Sequence, residues 1–287
     1  HPSAITYDGL GRVTQGVDFA YDWDAFDRMV SATELSTSTL KEVYIYDGLG
    51  RLVQVRQMDG TPSTETLVYD GRQLIASYTD GQLAWEAAWG ASIDHLLEWT
   101  RYDGSTPTSY VPMRDHRNNI VGLWNAQSGT LEQIAEYTST GRMATYDGGS
   151  DVYDPATSPP CEEEGTGAVC GLVGGAFPFG FNTAYRSRTT GVYAMRHRWY
   201  APKLGEFLSH DPLEYVDSHN LYAFAAMDPI NAWDPWGLKS NGVAQAPEDY
   251  DDWGGETGFG NWAQENWFLF GGLSGTIRGA VTENGYD

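Results

Sequence analysis

The chain has 287 residues, of which 41% are hydrophobic and 14% aromatic, enough to bury the core of one or two domains. Its formal net charge of −22 repels polyanions and argues against nucleic acid as a partner. No apolar run reaches bilayer-spanning length, and Trp267-Phe268-Leu269-Phe270 is cut off by Gly271-Gly272.

With 18 Tyr, 11 Trp, 34 Gly and 13 Pro, the composition favours many short strands joined by tight turns over long helices. The chain starts at His1-Pro2-Ser3 without a signal peptide and reads as an excerpt of something longer. An internal repeat begins at once. It runs Tyr7-Asp8-Gly9-Leu10-Gly11-Arg12, then Tyr21-Asp22 through Asp27-Arg28, then Tyr46-Asp47-Gly48-Leu49-Gly50-Arg51, then Tyr69-Asp70-Gly71-Arg72. A diverged copy stands at Tyr137-Thr138-Ser139-Thr140-Gly141-Arg142. The first four tyrosines are 14, 25 and 23 residues apart, which suits strand-turn-strand units stacked into a continuous sheet.

Asp-Gly is a tight hairpin signal. In the stretch after the third turn, alternation places Leu52, Gln54, Arg56 and Met58 on one face and Arg51, Val53, Val55 and Gln57 on the other. Both faces are mixed, as a strand with solvent outside and a lumen inside permits. Each tyrosine precedes a turn, where its ring covers the neighbouring hairpin and its hydroxyl seeks a polar partner. The repeat residues therefore read as scaffold.

Residues 148–176 are a Gly-, Pro- and Glu-rich surface insertion holding the two cysteines of the chain, Cys161 and Cys170. A polar loop offers no core for buried thiols, so a local disulfide in an oxidising compartment is expected, with two free thiols as the alternative. Neither these cysteines nor His95, His116 and His219 show metal spacing, and P-loop, serine-hydrolase and zinc-protease motifs are absent, so no cofactor is implied.

The densest run of motifs follows. Phe177-Pro178-Phe179-Gly180-Phe181 opens it. Thr190-Gly191-Val192-Tyr193-Ala194-Met195-Arg196-His197-Arg198-Trp199-Tyr200 comes next. Gly205-Glu206-Phe207-Leu208-Ser209-His210-Asp211-Pro212 and Asn220-Leu221-Tyr222-Ala223-Phe224 continue it, and Asp234-Pro235-Trp236-Gly237-Leu238 closes it. This order resembles the RHS repeat-associated core domain, and the upstream pattern resembles the YD repeats of RHS proteins, Tc toxin C components and teneurins. Arg114 to Gly122 looks like the family's segment just upstream of the core. The resemblance covers about residues 5–238.

The resemblance implies an all-β fold: a YD-repeat β-shell segment over residues 1–147, the insertion at 148–176, a core domain closing the shell over 177–238, and a linker and variable C-terminal region at 239–287. It also implies an aspartate-dependent self-cleavage between Leu238 and Lys239. Paired carboxylates do such work, one ionised to activate water and one protonated to polarise the carbonyl, with an arginine beside them.

Arg198 matches the family arginine and Asp211 the family aspartate. Ala201 stands where some members carry a second aspartate, and Glu206 and Asp228 are further departures. Asp234, covalently near the scissile bond, is the best substitute carboxylate; His210 and Asp217 are weaker ones. Asp211 and Asp234 each precede a proline and also suit turn capping.

Alternation over 193–200 places Arg196, Arg198 and Tyr200 on one face and Tyr193, Met195, His197 and Trp199 on the other. The expected function is an encapsulating shell of a secreted or toxin-type protein. Its partners would be its own C-terminal segment or a toxin cargo, with other subunits of a secreted or surface assembly. The alternative is an extracellular or cell-surface adhesion or assembly protein whose core does not cleave.

Overall fold

From Thr6 to Glu162, fifteen strands form one sheet in which every strand pairs antiparallel with its neighbours in sequence. The computed structural model describes residues 4–104, 106–147, 176–216 and 218–242; of the short strands Cys161–Glu162 and Asn241–Gly242 it describes the backbone alone. Residues 245–287 separate as a second unit and lie outside the described residues.

Aspartate chemistry makes the hairpins on one edge. The Asp8 Oδ1 accepts the Leu10 and Arg12 amides, both at 2.9 Å, and its Oδ2 lies 2.6 Å from the Arg12 Nη2. Asp47 does the same with Leu49 and Arg51. In the second unit the turn aspartate is Asp24, paired with Arg28 at 2.6 Å. The Tyr21-Asp22 register read from sequence is thus corrected to Trp23-Asp24, because the closing arginine must fall four residues after the aspartate.

Burial pushes the Asp8, Asp24 and Asp47 carboxyls up, but hydrogen bonds from the amides and the arginine outweigh it and hold all three below the usual aspartate value. Asp115 builds the same turn with Asn119 in place of arginine. Thr138 does so with its hydroxyl, which accepts the Arg142 amide.

Successive turns are stapled in both directions. Arg12 and Arg51 donate forward to the carbonyls of Asp24 and Gly71, at 2.7 and 2.6 Å. The Tyr46, Tyr69 and Tyr137 hydroxyls donate back to the carbonyls of Met29, Leu52 and Ile120, each at 2.8 Å. The repeat residues hold hairpin to hairpin, as a scaffold does.

Strict alternation fails just after these turns. Tyr46 pairs with Leu52 but Ile45 with Gln54, leaving Val53 as an extra residue. The same register shift leaves out Thr14, Val30, Ile75 and Val121. Such bulges reset the pleat, so Leu52 and Val55 are both buried although alternation assigns them to opposite faces. Repeated bulges also bend and twist a sheet, which gives this one a physical reason to curl.

The segment from Phe177 to Leu208 packs against the sheet. Phe177 meets Trp99 edge-on at 5.0 Å, and Phe179 meets Trp85 and Trp89 at 5.7 and 5.3 Å. Two buried sheet carboxylates anchor the segment. Glu42 accepts from Tyr44, Ser187 and Gln57, each at 2.5 Å. Glu65 accepts from Ser77, Trp85 and Tyr185. First and last repeats both dock on this segment and the loop after it: the Val13 amide donates to the Leu208 carbonyl at 2.8 Å, Tyr222 to Gly11 at 2.5 Å, and Tyr193 and Tyr200 to Gly141 and Thr140. The strand Cys161–Glu162, within the predicted insertion, pairs with Ala144 and Thr145 and extends the sheet.

Candidate functional site

The strands Tyr193–Met195 and Arg198–Ala201 form a hairpin whose turn is Arg196-His197, with Tyr193 opposite Tyr200 and Met195 opposite Arg198. This corrects the reading of residues 193–200 as one strand. Tyr193 and Met195 share a cluster with Tyr200, Phe207 and Phe224, whereas Trp199 and Ala201 join the core against the sheet. Position 201 therefore leaves its strand on the side away from Arg198.

Arg198 is buried, and its guanidinium lies 3.7 Å from the centre of the Phe207 ring. One nitrogen, Nη2, meets both candidate carboxylates: Asp211 Oδ2 at 2.8 Å and Asp234 Oδ2 at 3.3 Å. The Nε donates to the Gly237 carbonyl at 2.5 Å and Nη1 to the Leu221 carbonyl at 3.2 Å. Each aspartate uses its other oxygen to fix a turn: Asp211 Oδ1 accepts the Leu213 amide at 2.8 Å and Asp234 Oδ1 the Leu238 amide at 3.0 Å. Arg198, Asp211 and Asp234, scattered over 37 positions of sequence, are thus one cluster.

The Asp-Pro-Trp-Gly-Leu turn needs its glycine. Gly237 has φ +65°, and a Cβ there would stand 2.5 Å from the Met195 carbonyl oxygen. Leu238 is half-buried and Lys239 exposed. Beyond them Asn241–Gly242 returns to pair with Ala232–Trp233, so the 238–239 bond sits in the loop of a two-stranded hairpin.

Sequence reasoning did not single out the groups around Trp236. Arg72 and Arg196 lie 4.9 and 4.8 Å from its ring centre, and Arg196 is held by Asp94 at 2.6 Å. A signal existed for Arg72: its turn places arginine two residues after aspartate, where the other turns place it four after. Burial, then Arg72, Arg196 and Arg198, push the His197 imidazole down to about 4. In keeping with a neutral ring, Arg72 Nη1 donates to His197 Nε2 at 3.4 Å.

His210 lies away from the cluster, its ring 4.8 Å from that of Tyr222 and against Gly11 of the first turn. Asp217 and the Cys161–Cys170 pairing fall outside the described residues and side chains. Among the described residues no group of three or more His, Cys, Asp or Glu side chains is gathered as for a metal ion.

No family model matches the chain. It is 41% identical to Toxin protein Tse5 of Pseudomonas aeruginosa over 64 residues, which are 22% of this chain and 5% of that protein. A crystal structure of TcdB2-TccC3-Cdc42 covers 81% of the chain at 16% identity with a TM-score of 0.58, matching 11% of that chain. A crystal structure of TcdB2-TccC3 without its hypervariable C-terminal region covers the same 81% at a TM-score of 0.56. The chain thus spans a small fraction of the proteins it matches, and the likeness to solved structures is one of fold.

Proposed function

Because this chain has the RHS/YD-repeat shell fold, we propose that it is the closing segment of an encapsulating shell in a secreted, toxin-type protein, and that its core cleaves the Leu238–Lys239 bond. The shell reading is supported by the docking of both the first and the last repeat on one core segment. The likeness persists to TcdB2-TccC3 without its hypervariable C-terminal region, so it does not depend on such a region; in this proposal the segment beyond Leu238 is the variable one, carried as cargo. The Tc structures contain TccC3 together with TcdB2, which supports a partner subunit for the shell.

The observation that carries the cleavage reading is the meeting of Asp211 and Asp234 on one Arg198 nitrogen. Carboxylates held together divide their protons unequally. The ionised one takes a proton from water as it attacks the Leu238 carbonyl carbon; the protonated one hydrogen-bonds the carbonyl oxygen. Collapse breaks the bond to the Lys239 nitrogen, which takes up a proton, leaving a carboxyl at Leu238 and an amine at Lys239. Arg198 orients both carboxylates and, through Gly237, the peptide. Mass measurement of freshly made full chain in denaturant tests this. Two fragments meeting at 238–239, lost in Asp211→Asn, are expected; a single intact species overturns it.

A second reading, an extracellular adhesion or assembly protein with an uncleaved core, is favoured by the turn-fixing role of both aspartates. The intact species would select it.

A further inference from the structure

Three consecutive carbonyls ahead of Leu238 are held by three consecutive residues, the hairpin turn Arg196-His197 and the strand residue Arg198 that follows it. The Arg196 guanidinium donates to Pro235, the His197 amide to Trp236 at 3.2 Å, and Arg198 Nε to Gly237 at 2.5 Å. Between these main-chain contacts the Trp236 side chain lies against two guanidinium groups, Arg196 at 4.8 Å and Arg72 at 4.9 Å. Its indole N–H has no acceptor among the described residues, so the ring itself is what is gripped.

Two features show that the fold departs from its own rules to make this grip. Arg196 occupies the turn at φ +53°, a left-handed conformation that favours glycine or asparagine. Asp94, itself at φ +55° and buried, fixes its guanidinium through both oxygens, at 2.6 and 3.1 Å. The second feature is the fourth repeat. Where Arg12, Arg28 and Arg51 pair with a turn aspartate four residues earlier, the turn at Gly71-Arg72 is only two residues long and Arg72 extends to Trp236 and His197.

We infer that Arg72 and Arg196, with Asp94 behind them, are positioning residues that recognise an aromatic side chain two residues before Leu238 and so set the scissile peptide against its carboxylates. This rests on the self-cleavage reading and extends it to a specificity pocket in which one wall comes from the shell and one from the core. An intact YD sheet would then be required before the core acts.

The test follows self-cleavage of the full chain over time by denaturing mass measurement. In parallel, deuterium uptake of peptides covering 232–240 is read in an Asp211→Asn background. Arg72→Ala is expected to slow cleavage about tenfold, the loss of one cation–π contact in a desolvated site, and Trp236→Leu, which loses the contacts with both Arg72 and Arg196, by more than that. Trp236→Phe keeps the ring and is expected to stay within about threefold. In the Asp211→Asn chain the first two substitutions should raise uptake in 232–240 and nowhere in the sheet. Wild-type cleavage rates together with unchanged uptake overturn the inference. If the wild-type chain does not cleave, the self-cleavage reading falls with its specificity role; raised uptake then upholds only the grip on Trp236, and unchanged uptake removes that too.

Discussion

Asp234 accepts the amide of Leu238 through Oδ1 at 3.0 Å, so the residue proposed to cleave the chain also shapes the turn that presents the bond. Substitutions separate these duties. Asp234→Asn keeps an acceptor for the Leu238 amide and removes the charge facing Arg198. Asp234→Ala removes both. Neither variant should cleave, while the alanine protein should be about 1 kcal/mol less stable than the asparagine protein in urea denaturation. Equal stabilities would deny the turn contact its weight.

Arg198 compensates two buried carboxylates at once. Arg198→Ala removes the guanidinium that Asp211 and Asp234 share, and breaking a buried pair in this way costs about 3–5 kcal/mol. Thermal unfolding should show that loss, and Asp211→Asn in the same chain should recover part of it by removing a carboxyl that has lost its guanidinium. No recovery would mean that Arg198 acts through its packing on Phe207 instead.

His197 makes stability depend on pH. Its folded value is near 4 against an ordinary 6.5, because burial and then Arg72, Arg196 and Arg198 oppose the imidazolium. The unfolded chain therefore binds a proton that the native chain refuses. The stabilisation is full above pH 6.5 and declines as pH falls from 6.5 towards 4, by roughly 3 kcal/mol in all. His197→Gln should flatten the urea midpoint across that interval; an unchanged slope would show that His197 is not its source.

The tyrosine staples are not equivalent. Among the described residues Tyr69 donates to the Leu52 carbonyl alone, and Tyr69→Phe should cost about 1 kcal/mol. Tyr46 donates to Met29 and also accepts the Trp199 indole N–H at 2.8 Å, so Tyr46→Phe strands a buried donor from the core segment and should cost about 1–3 kcal/mol more. Chemical denaturation of the two variants side by side gives the comparison.

The hairpins at Asp8, Asp47 and Thr138 were legible in sequence because their turns are local: an acceptor side chain, a glycine and an arginine within six residues. At Trp23-Asp24 the tyrosine pattern points to Tyr21-Asp22, whereas the turn is carried by the four-residue spacing of Asp24 to Arg28. The bulges at Val53 and its counterparts were not legible, since an inserted residue in a strand looks like any other apolar residue until pairing partners are known. At the candidate site, Arg198, Asp211 and Asp234 came from motif order, and their convergence on one nitrogen depends on a hairpin turn that the alternation reading ran straight through. Arg72 and Trp236 escaped because they are 164 positions apart and meet only where the core segment packs on the sheet.

The pairing of Ala232–Trp233 with Asn241–Gly242 separates covalent continuity from physical attachment. A cut in the loop between them makes a split protein whose new ends remain hydrogen-bonded neighbours, as the halves of a nicked hairpin do. Such a molecule carries two chains in contact for as long as that pairing holds. Among the described residues that attachment is a very short ladder, so its melting is a step separate from the chemistry that breaks the chain.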